Sequence, residues 1–199
     1  MSDEERDRWN RRYVREGAWR PEPAAFLVEV SPQLPPGSRI LDAGGGTGRN
    51  AVWLARQGHQ VTIADISETG LEFAKQGAAD AAVEVDTVCM DFDTDPMPAG
   101  PWDVILDFHF IKRYLFPVFY EVLRPGGLLV FCRATVKNLE RHERPPRAYV
   151  IEEGEGWRLL EGWELLIARE GWSIEDRHEF EALARRPERL PRSRDSRKT

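Results

Sequence analysis

The residues with the clearest chemical potential lie in one short stretch, where two acids flank a glycine-rich turn. A short apolar run ends at Asp42, Gly44, Gly46 and Gly48 follow, and a second apolar run ends at Asp65. The segment between the runs is helix-like, so the stretch predicts one βαβ unit. The glycines let a ligand approach bare backbone at the start of a helix. The acid that ends the second strand is placed to bind a ribose diol.

Two classes of ligand could bind at this turn. Residues 46–51 fit the G-x-G-x-x-A pattern of dinucleotide-binding proteins, which leaves an NAD(P)-dependent oxidoreductase as one alternative. The carboxylate of Asp42 leads into the turn, however, and it would repel a pyrophosphate. S-adenosylmethionine has a sulfonium, an ammonium and a ribose diol but no phosphate, and Asp42 therefore favours it. A protein that binds this compound or a nucleotide without turnover is a further alternative.

More acids follow the next two predicted strands. Asp91 and Phe92 form an acid–aromatic pair suited to adenine, because the carboxylate can accept from the exocyclic amine while the ring packs on the purine. Asp93 and Asp95 are close enough in the chain that any of the three acids could take that role. Asp107 is expected either to face the methionine end of the ligand or to cap its loop.

The order of the elements predicts an α/β fold. Strands that alternate with helices imply a parallel sheet covered on both faces, with ligands at the carboxyl ends of its strands. We therefore expect a Rossmann-like, doubly wound, mostly parallel seven-stranded sheet that ends in an antiparallel hairpin. The predicted strands are 39–42, 60–65, 83–90, 102–107, 128–133, 163–169 and 178–185, and the predicted helices are 24–30, 48–57, 68–76 and 114–123.

Composition and charge narrow the class of protein. A chain of 199 residues, 41% hydrophobic and 31% charged, is typical of one soluble domain, expected here over residues 1–187. The charged N-terminus is unlike a signal peptide and no apolar run could cross a bilayer, which favours a cytoplasmic protein without a membrane partner. The net charge of −6 disfavours nucleic acid. Residues 188–199 are expected to form a basic, flexible tail.

The two cysteines, Cys89 and Cys132, both lie in strand-like runs. We expect both to be buried as small hydrophobic side chains. Their spacing matches neither a disulfide framework nor a set of metal ligands. The sequence therefore predicts no metal site.

Several motifs together resemble the class I S-adenosylmethionine-dependent methyltransferases. The resemblance covers residues 38–133. It implies S-adenosylmethionine as methyl donor and S-adenosylhomocysteine as product. The cofactor contacts that it implies are Asp42, Gly44, Gly46, Gly48, Asp65, Ile66, Asp91, Phe92 and Asp107. The matching motifs are Asp42-Ala-Gly-Gly-Gly-Thr-Gly48, Asp65, Asp91-Phe92, Pro101-Trp-Asp-Val-Ile105 and Leu123-Arg-Pro-Gly-Gly127.

A narrower likeness is to the small bacterial methyltransferases of the tellurite-resistance type. Residues 9–13 (Trp-Asn-Arg-Arg-Tyr) resemble their N-terminal element, residues 48–55 their G-R-N-A-x-x-L-A helix start, and residues 178–187 their closing strand. The likeness implies a small-molecule acceptor, for which a thiol or chalcogen compound is suited. It also implies a helical lid over residues 1–30.

The expected lid carries Trp9, Tyr13 and Trp19. In one interpretation Arg12 and Tyr13 close over the methionine end of the cofactor. In the other, Trp9 and Tyr13 are only a packing face of the helix.

The acceptor side is expected just after the fourth strand, where this fold places it. His109 could act as a base, Arg113 could bind an anionic acceptor, and Tyr114 lies next to them in the chain. The alternative is that His109 points to solvent between two core phenylalanines. Neither the acceptor itself nor the choice between monomer and homodimer follows from the sequence.

Overall fold

The structure is a computed structural model that describes residues 2–17 and 22–188. Trp19 of the expected lid and residues 189–199 of the expected tail lie outside the described residues. None of the helices in the described ranges is both long enough and apolar enough to cross a membrane. The helices are α1 (Ser2–Glu16), α2 (Ala25–Val30), α3 (Arg49–Ala55), α4 (Glu68–Asp80), α5 (Leu115–Val122) and α6 (Glu155–Leu159). The strands are β1 (Arg39–Ala43), β2 (Gln60–Asp65), β3 (Asp86–Cys89), β4 (Trp102–Phe108), β5 (Leu123–Ala134), β6 (Glu164–Trp172) and β7 (His178–Arg185).

The strands form one sheet in the order β3-β2-β1-β4-β5-β7-β6. Strands β1 to β5 run parallel, and β7 pairs antiparallel with both β5 and β6. The predicted fold class is confirmed, including the hairpin made by the last two strands. The direction of strand order reverses between β1 and β4, which is where open α/β sheets bind their ligands.

Apolar side chains cover both faces of this sheet. On one face, α2, α3 and α4 pack on a cluster that includes Leu54 and Ile63. On the other face, α5 packs on a cluster that includes Phe119, Phe131 and Phe180. Because both faces are buried, the central strands are nearly continuous hydrophobic runs, as parallel sheets require.

Two strands differ from the sequence prediction. Strand β5 begins at Leu123, five residues early, because Leu123 pairs with Trp102 of β4. Gly126 and Gly127, predicted to form a turn, also belong to this strand, and the Gly126 N–H donates to the carbonyl of Arg186 (2.9 Å). Strand β3 is shorter than predicted and pairs only with β2.

The edge position of β3 also corrects the expectation for one cysteine. Cys132, in the centre of the sheet, is buried as expected, whereas Cys89 at the end of β3 is exposed. A strand with one neighbour leaves more of its side chains in contact with solvent than a central strand does. The prediction of burial was therefore wrong for Cys89.

Candidate active site

The four predicted acids lie at one edge of the sheet. Parallel strands present their carboxyl ends on the same side, so the ends of β1 to β4 bring these side chains together. All four are buried, with exposed fractions of 1% for Asp42, 6% for Asp65, 3% for Asp91 and 1% for Asp107. Burial of several carboxyl groups opposes folding, and such groups concentrate where a ligand uses them.

The turn after β1 uses backbone conformations that glycine adopts most easily. Gly44, Gly46 and Gly48 have φ angles of 66°, 55° and 75°. Asp65 holds this turn against the end of β2: its Oδ2 accepts from the Gly46 N–H (2.9 Å) and its Oδ1 from the Ser67 N–H (2.8 Å). Each carboxylate oxygen has a further lone pair, so Asp65 can still accept from ligand hydroxyls.

Three of the acids keep oxygens that have no hydrogen-bond partner within the described ranges. These are Oδ2 of Asp42, Oδ2 of Asp91 and both oxygens of Asp107. Burial raises the pKa of Asp42 to about 7, with a smaller contribution from Asp65, and burial raises the pKa of Asp65 itself to about 6. A cationic, amine-bearing ligand would supply the missing hydrogen bonds and favour the ionised carboxylates, whereas a phosphate would be repelled.

The three acids that follow β3 differ in what they bind. Asp93 accepts from Lys112 Nζ (2.6 Å) and from the Tyr114 hydroxyl (2.5 Å). Asp95 accepts from the Asp91 N–H (2.8 Å). Asp91 uses Oδ1 for the Asp93 N–H (2.9 Å) and keeps its buried Oδ2 for another donor. The geometry therefore favours Asp91 of the three for contact with an adenine amine.

Asp107 of β4 lies near a buried arginine on the neighbouring strand. Arg133 is 2% exposed, and its Nε and Nη2 have no partner among the residues that the structure describes. Burial raises the pKa of Asp107 well above its ordinary value, and the attraction of Arg133 opposes that shift. Burial lowers the pKa of Arg133 to about 10. Among the described residues, no hydrogen bond of the Asp107 carboxylate supports the loop-cap interpretation, and the pair retains polar groups for a ligand.

Helix α1 packs over the glycine-rich turn. A Cβ atom added at Gly46 would collide with the hydroxyl of Tyr13. Asn10, one turn earlier, accepts through Oδ1 from the hydroxyl of Ser67 (2.6 Å) at the start of α4. Burial and the charge of Asp65 raise the pKa of Tyr13, so this phenol is neutral where it meets the turn.

The other lid residues form an outer layer on α1. The Arg12 Nε donates to Glu16 (2.9 Å), and its guanidinium carbon lies 5.0 Å from the centroid of the Trp9 ring. Trp9 in turn stacks on Tyr13, with 5.8 Å between ring centroids. The structure thus brings Tyr13 to the turn and leaves Trp9 and Arg12 as its support.

Aromatic rings cover the turn from the opposite side. Phe92 is 7% exposed and packs on Phe110, with 5.1 Å between ring centroids. A Cβ atom at Gly44 would collide with the Phe110 ring, so the ring closes on bare backbone. Ile66 is half-buried directly after Asp65. Together these side chains place apolar surface around the acids.

A cavity of about 710 Å³ lies beyond the end of β4, between α2 and the β6–β7 hairpin. His109 lines it together with Phe26, Cys132, Trp172 and Glu179. Burial keeps the pKa of His109 well below its ordinary value, and neighbouring arginines add to the effect. The imidazole is therefore neutral, and its protonation is disfavoured.

The other two residues predicted on the acceptor side do not line this cavity. Arg113 forms a two-point ion pair with Glu155 of α6, with Nη2 to Oε2 at 3.1 Å. Tyr114 is half-exposed and donates to Asp93. Of the predicted acceptor-side set, the structure brings His109 to the cavity and engages the other two elsewhere.

Sequence reasoning missed the contribution of β5 and β7 to the cavity. Cys132 and Glu179 both line it, and Glu179 is 5% exposed while Glu181 on the same strand is 7% exposed. The signal was present in the chain: acids at alternate positions of an otherwise apolar strand share one face. Acids on a buried face indicate a polar site beneath them.

Parts of this chain are similar in sequence to known methyltransferases. Residues 40–127 match a family described as a methyltransferase domain. A tRNA 5-carboxymethoxyuridine methyltransferase of Escherichia coli is 38% identical over 113 residues, which cover 52% of this chain and 41% of that protein. The chain spans about half the length, or less, of the curated relatives that it matches.

Solved structures show the same fold. TehB from Haemophilus influenzae superposes with a TM-score of 0.65 at 18% identity, covering 89% of this chain and 65% of that one. A TehB-like methyltransferase from Corynebacterium glutamicum superposes with a TM-score of 0.62 at 21% identity, covering 92% and 96%. The narrower likeness to tellurite-resistance-type proteins therefore extends to the fold of nearly the whole chain.

Proposed function

We propose that this chain, whose residues 40–127 match a methyltransferase domain, transfers a methyl group from S-adenosylmethionine to a small-molecule acceptor in the cytoplasm. Thiol and chalcogen compounds are the first acceptors to test. The observation that carries the proposal is a set of buried carboxylate oxygens beside a glycine-rich turn that have no hydrogen-bond partner in the described part of the chain. That arrangement disfavours a pyrophosphate and supports a cationic nucleoside without phosphate.

The residues present fit S-adenosylmethionine. Asp42 would face the methionine ammonium, Asp65 the ribose hydroxyls and Asp91 the adenine amine, each through a buried oxygen that can accept another hydrogen bond. Phe92 and Ile66 would pack on the base. When bound, the sulfonium supplies an electrophilic methyl group.

The roles of the remaining predicted residues follow from their positions. Gly44, Gly46 and Gly48 would let the turn approach the cofactor, and Asp107 would add negative charge at its methionine end. Tyr13 would cover that end, with Arg12 supporting it from α1.

The chain's own part in the reaction is to align groups and exclude water. Methyl transfer from a sulfonium is an in-line displacement with a neutral thioether leaving group, so alignment and desolvation dominate. Tyr13 and Phe110 cover the turn from two sides. His109 lines the cavity wall, but its lowered pKa makes it a weak base, which suits a thiolate, selenide or tellurium oxyanion that needs little such help.

A tRNA acceptor is the second candidate, because the Escherichia coli relative is named for that substrate. The net charge of −6 opposes it, because a protein that binds RNA neutralises the phosphates with basic side chains. We expect no methylation of tRNA at physiological salt.

Ligand binding distinguishes the candidate functions. S-adenosylmethionine and S-adenosylhomocysteine are expected to raise the melting temperature of the full chain, since a ligand at 100 times its Kd stabilises by about 2.7 kcal/mol. NAD and NADP are expected to leave it unchanged. Stabilisation by NAD or NADP alone would overturn the proposal in favour of an oxidoreductase.

Turnover then distinguishes an enzyme from a binding protein. With methyl-labelled S-adenosylmethionine, we expect label in a small thiol, selenite or tellurite product and none in tRNA. Cofactor binding with no transfer to any small acceptor would favour the non-catalytic alternative, and transfer to tRNA would replace the acceptor proposed here.

The affinity for S-adenosylmethionine is expected to rise with pH through about 7. The pKa of Asp42 is raised to about 7 by burial, so the free protein carries a neutral carboxyl group below that pH. A cationic ligand prefers the ionised form, and binding linked to one such proton strengthens about tenfold between roughly pH 6 and pH 8. Calorimetry over this range measures the slope.

Asp42→Asn is the matched control for this pH dependence. It keeps the shape of the side chain and removes its titration, while any titration of the ligand is common to both proteins. We expect weaker binding and a smaller rise with pH in the variant. Equal slopes for the two proteins would exclude Asp42 as the group responsible.

A further inference from the structure

We infer that His109, Cys132 and Glu179 form a binding site for a soft divalent transition-metal ion such as Zn²⁺. A ring nitrogen, a thiol sulfur and a carboxylate oxygen from these residues all lie within 4.8 Å of one another. Zn²⁺ binds nitrogen, sulfur and oxygen donors, and catalytic zinc sites use three protein ligands and keep a fourth position open. This inference does not depend on the proposed function.

The sheet brings together three ligands that are distant in the chain. In the antiparallel pairing of β5 with β7, Cys132 lies opposite Glu181 and Ala134 opposite Glu179. Side chains alternate between faces, so Cys132 and Glu179 are diagonal neighbours on one face. His109 lies beside them, because its backbone N–H donates to the backbone carbonyl of Cys132 (3.0 Å).

Glu179 supplies the independent sign of a missing ligand. It is 5% exposed, and its Oε1 has no hydrogen-bond partner among the described residues, although its carboxyl group also contacts the thiol of Cys132. The nearest cationic or ring nitrogens are His109 Nδ1 at 3.7 Å and Arg177 Nη1 at 3.9 Å, both too distant for a hydrogen bond. The neighbouring Glu181, by contrast, already accepts from Arg169 (2.6 Å). A buried carboxylate oxygen without a partner is costly unless a ligand occupies it.

The charges allow a divalent ion at this point. Metal binding releases the thiol proton of Cys132 to solvent, since the thiolate is the ligand. The thiolate and the Glu179 carboxylate then balance the charge of the ion, and they do so against the positive charges of Arg177, Arg133 and Arg49, which all act on His109. Because all three ligands line the cavity, the open coordination position would be accessible to a small acceptor with a sulfur or oxygen donor.

The test is a titration of the reduced full chain with Co²⁺, which reports a bound thiolate by charge-transfer absorption in the near ultraviolet. Zn²⁺ affinity is then measured by competition with a chelator. We expect one Co²⁺ per chain with that absorption band. Cys132→Ser should abolish the band and lower Zn²⁺ affinity by more than the 10- to 100-fold typical of losing a second-shell partner.

Two further variants make the result specific. Glu179→Gln, which keeps the shape of the side chain, is expected to retain the band and lower Zn²⁺ affinity at least about tenfold. Cys89→Ser removes the exposed cysteine on β3 and should behave as the wild type. Circular dichroism establishes that each variant is folded.

Three results would each overturn the site. These are a wild-type protein with no charge-transfer band, a band that disappears with Cys89 rather than Cys132, and a Zn²⁺ affinity unchanged in Cys132→Ser. If the wild type does not bind S-adenosylhomocysteine, that result counts against the proposed function alone, so the two failures are distinguishable.

Discussion

Asp65→Ala is expected to weaken the binding of S-adenosylhomocysteine by roughly 1–3 kcal/mol, about 5- to 150-fold. The variant loses charge-assisted hydrogen bonds to the ribose, and it also removes the acceptor for the Gly46 and Ser67 N–H groups. The turn then has no carboxylate to hold it in the bound conformation. Isothermal titration calorimetry on the full chain measures the change in Kd.

Asp86→Ala is the control for this prediction. Asp86 is an exposed acid at the opposite end of the adjacent strand β3, so the same change of charge is made away from the turn. We expect its Kd to equal that of the wild type. An unchanged Kd in Asp65→Ala would refute the ribose assignment, and an equal loss in both variants would point to net charge instead.

Phe131→Ala is expected to reduce the free energy of unfolding by about 3–5 kcal/mol. Phe131 of β5 is fully buried, and its ring lies 5.0 Å from that of Phe116 and 5.8 Å from that of Phe180. Truncation leaves a cavity between α5 and the sheet and removes the edge-on ring contact with Phe116. Urea denaturation, analysed at constant m-value, measures the loss.

Ile174→Ala is the control for the core prediction. Its side chain is 95% exposed, so truncation of an apolar side chain at this position should change the free energy of unfolding by no more than about 0.5 kcal/mol. A loss below about 1 kcal/mol in Phe131→Ala would mean that the neighbouring rings close the space, contrary to the close packing expected of the core.

Local patterns were sufficient for the fold class and for much of the candidate cofactor site. Strands β2 and β7 have the bounds that the sequence predicts, and the glycines of the turn adopt the left-handed conformations that their type allows. Asp42 and Asp65 end apolar runs, and a run that ends in an acid places it at the carboxyl edge of a parallel sheet. These features depend on neighbours in the chain, and a sequence displays them directly.

The sequence could not predict which of several acids would already be engaged in hydrogen bonds within the protein. Asp91, Asp93 and Asp95 were equivalent by spacing, and only the positions of Lys112 and Tyr114 engage Asp93 and leave Asp91 with an available oxygen. Arg113, expected to bind an acceptor, instead pairs with Glu155, 42 residues later in the chain. Such pairings are decided by how distant segments pack.

The sequence by itself therefore determined the parallel sheet, the glycine-rich turn and the acids around it, because each follows from short-range periodicity and residue type. Only the tertiary structure decided which groups line the cavity beyond β4. The insertion of β7 between β5 and β6 places Glu179 beside Cys132 and near His109, although His109 and Glu179 are 70 positions apart in the chain. Strand pairing over such a separation depends on the free energy of the whole sheet, and no local pattern specifies it.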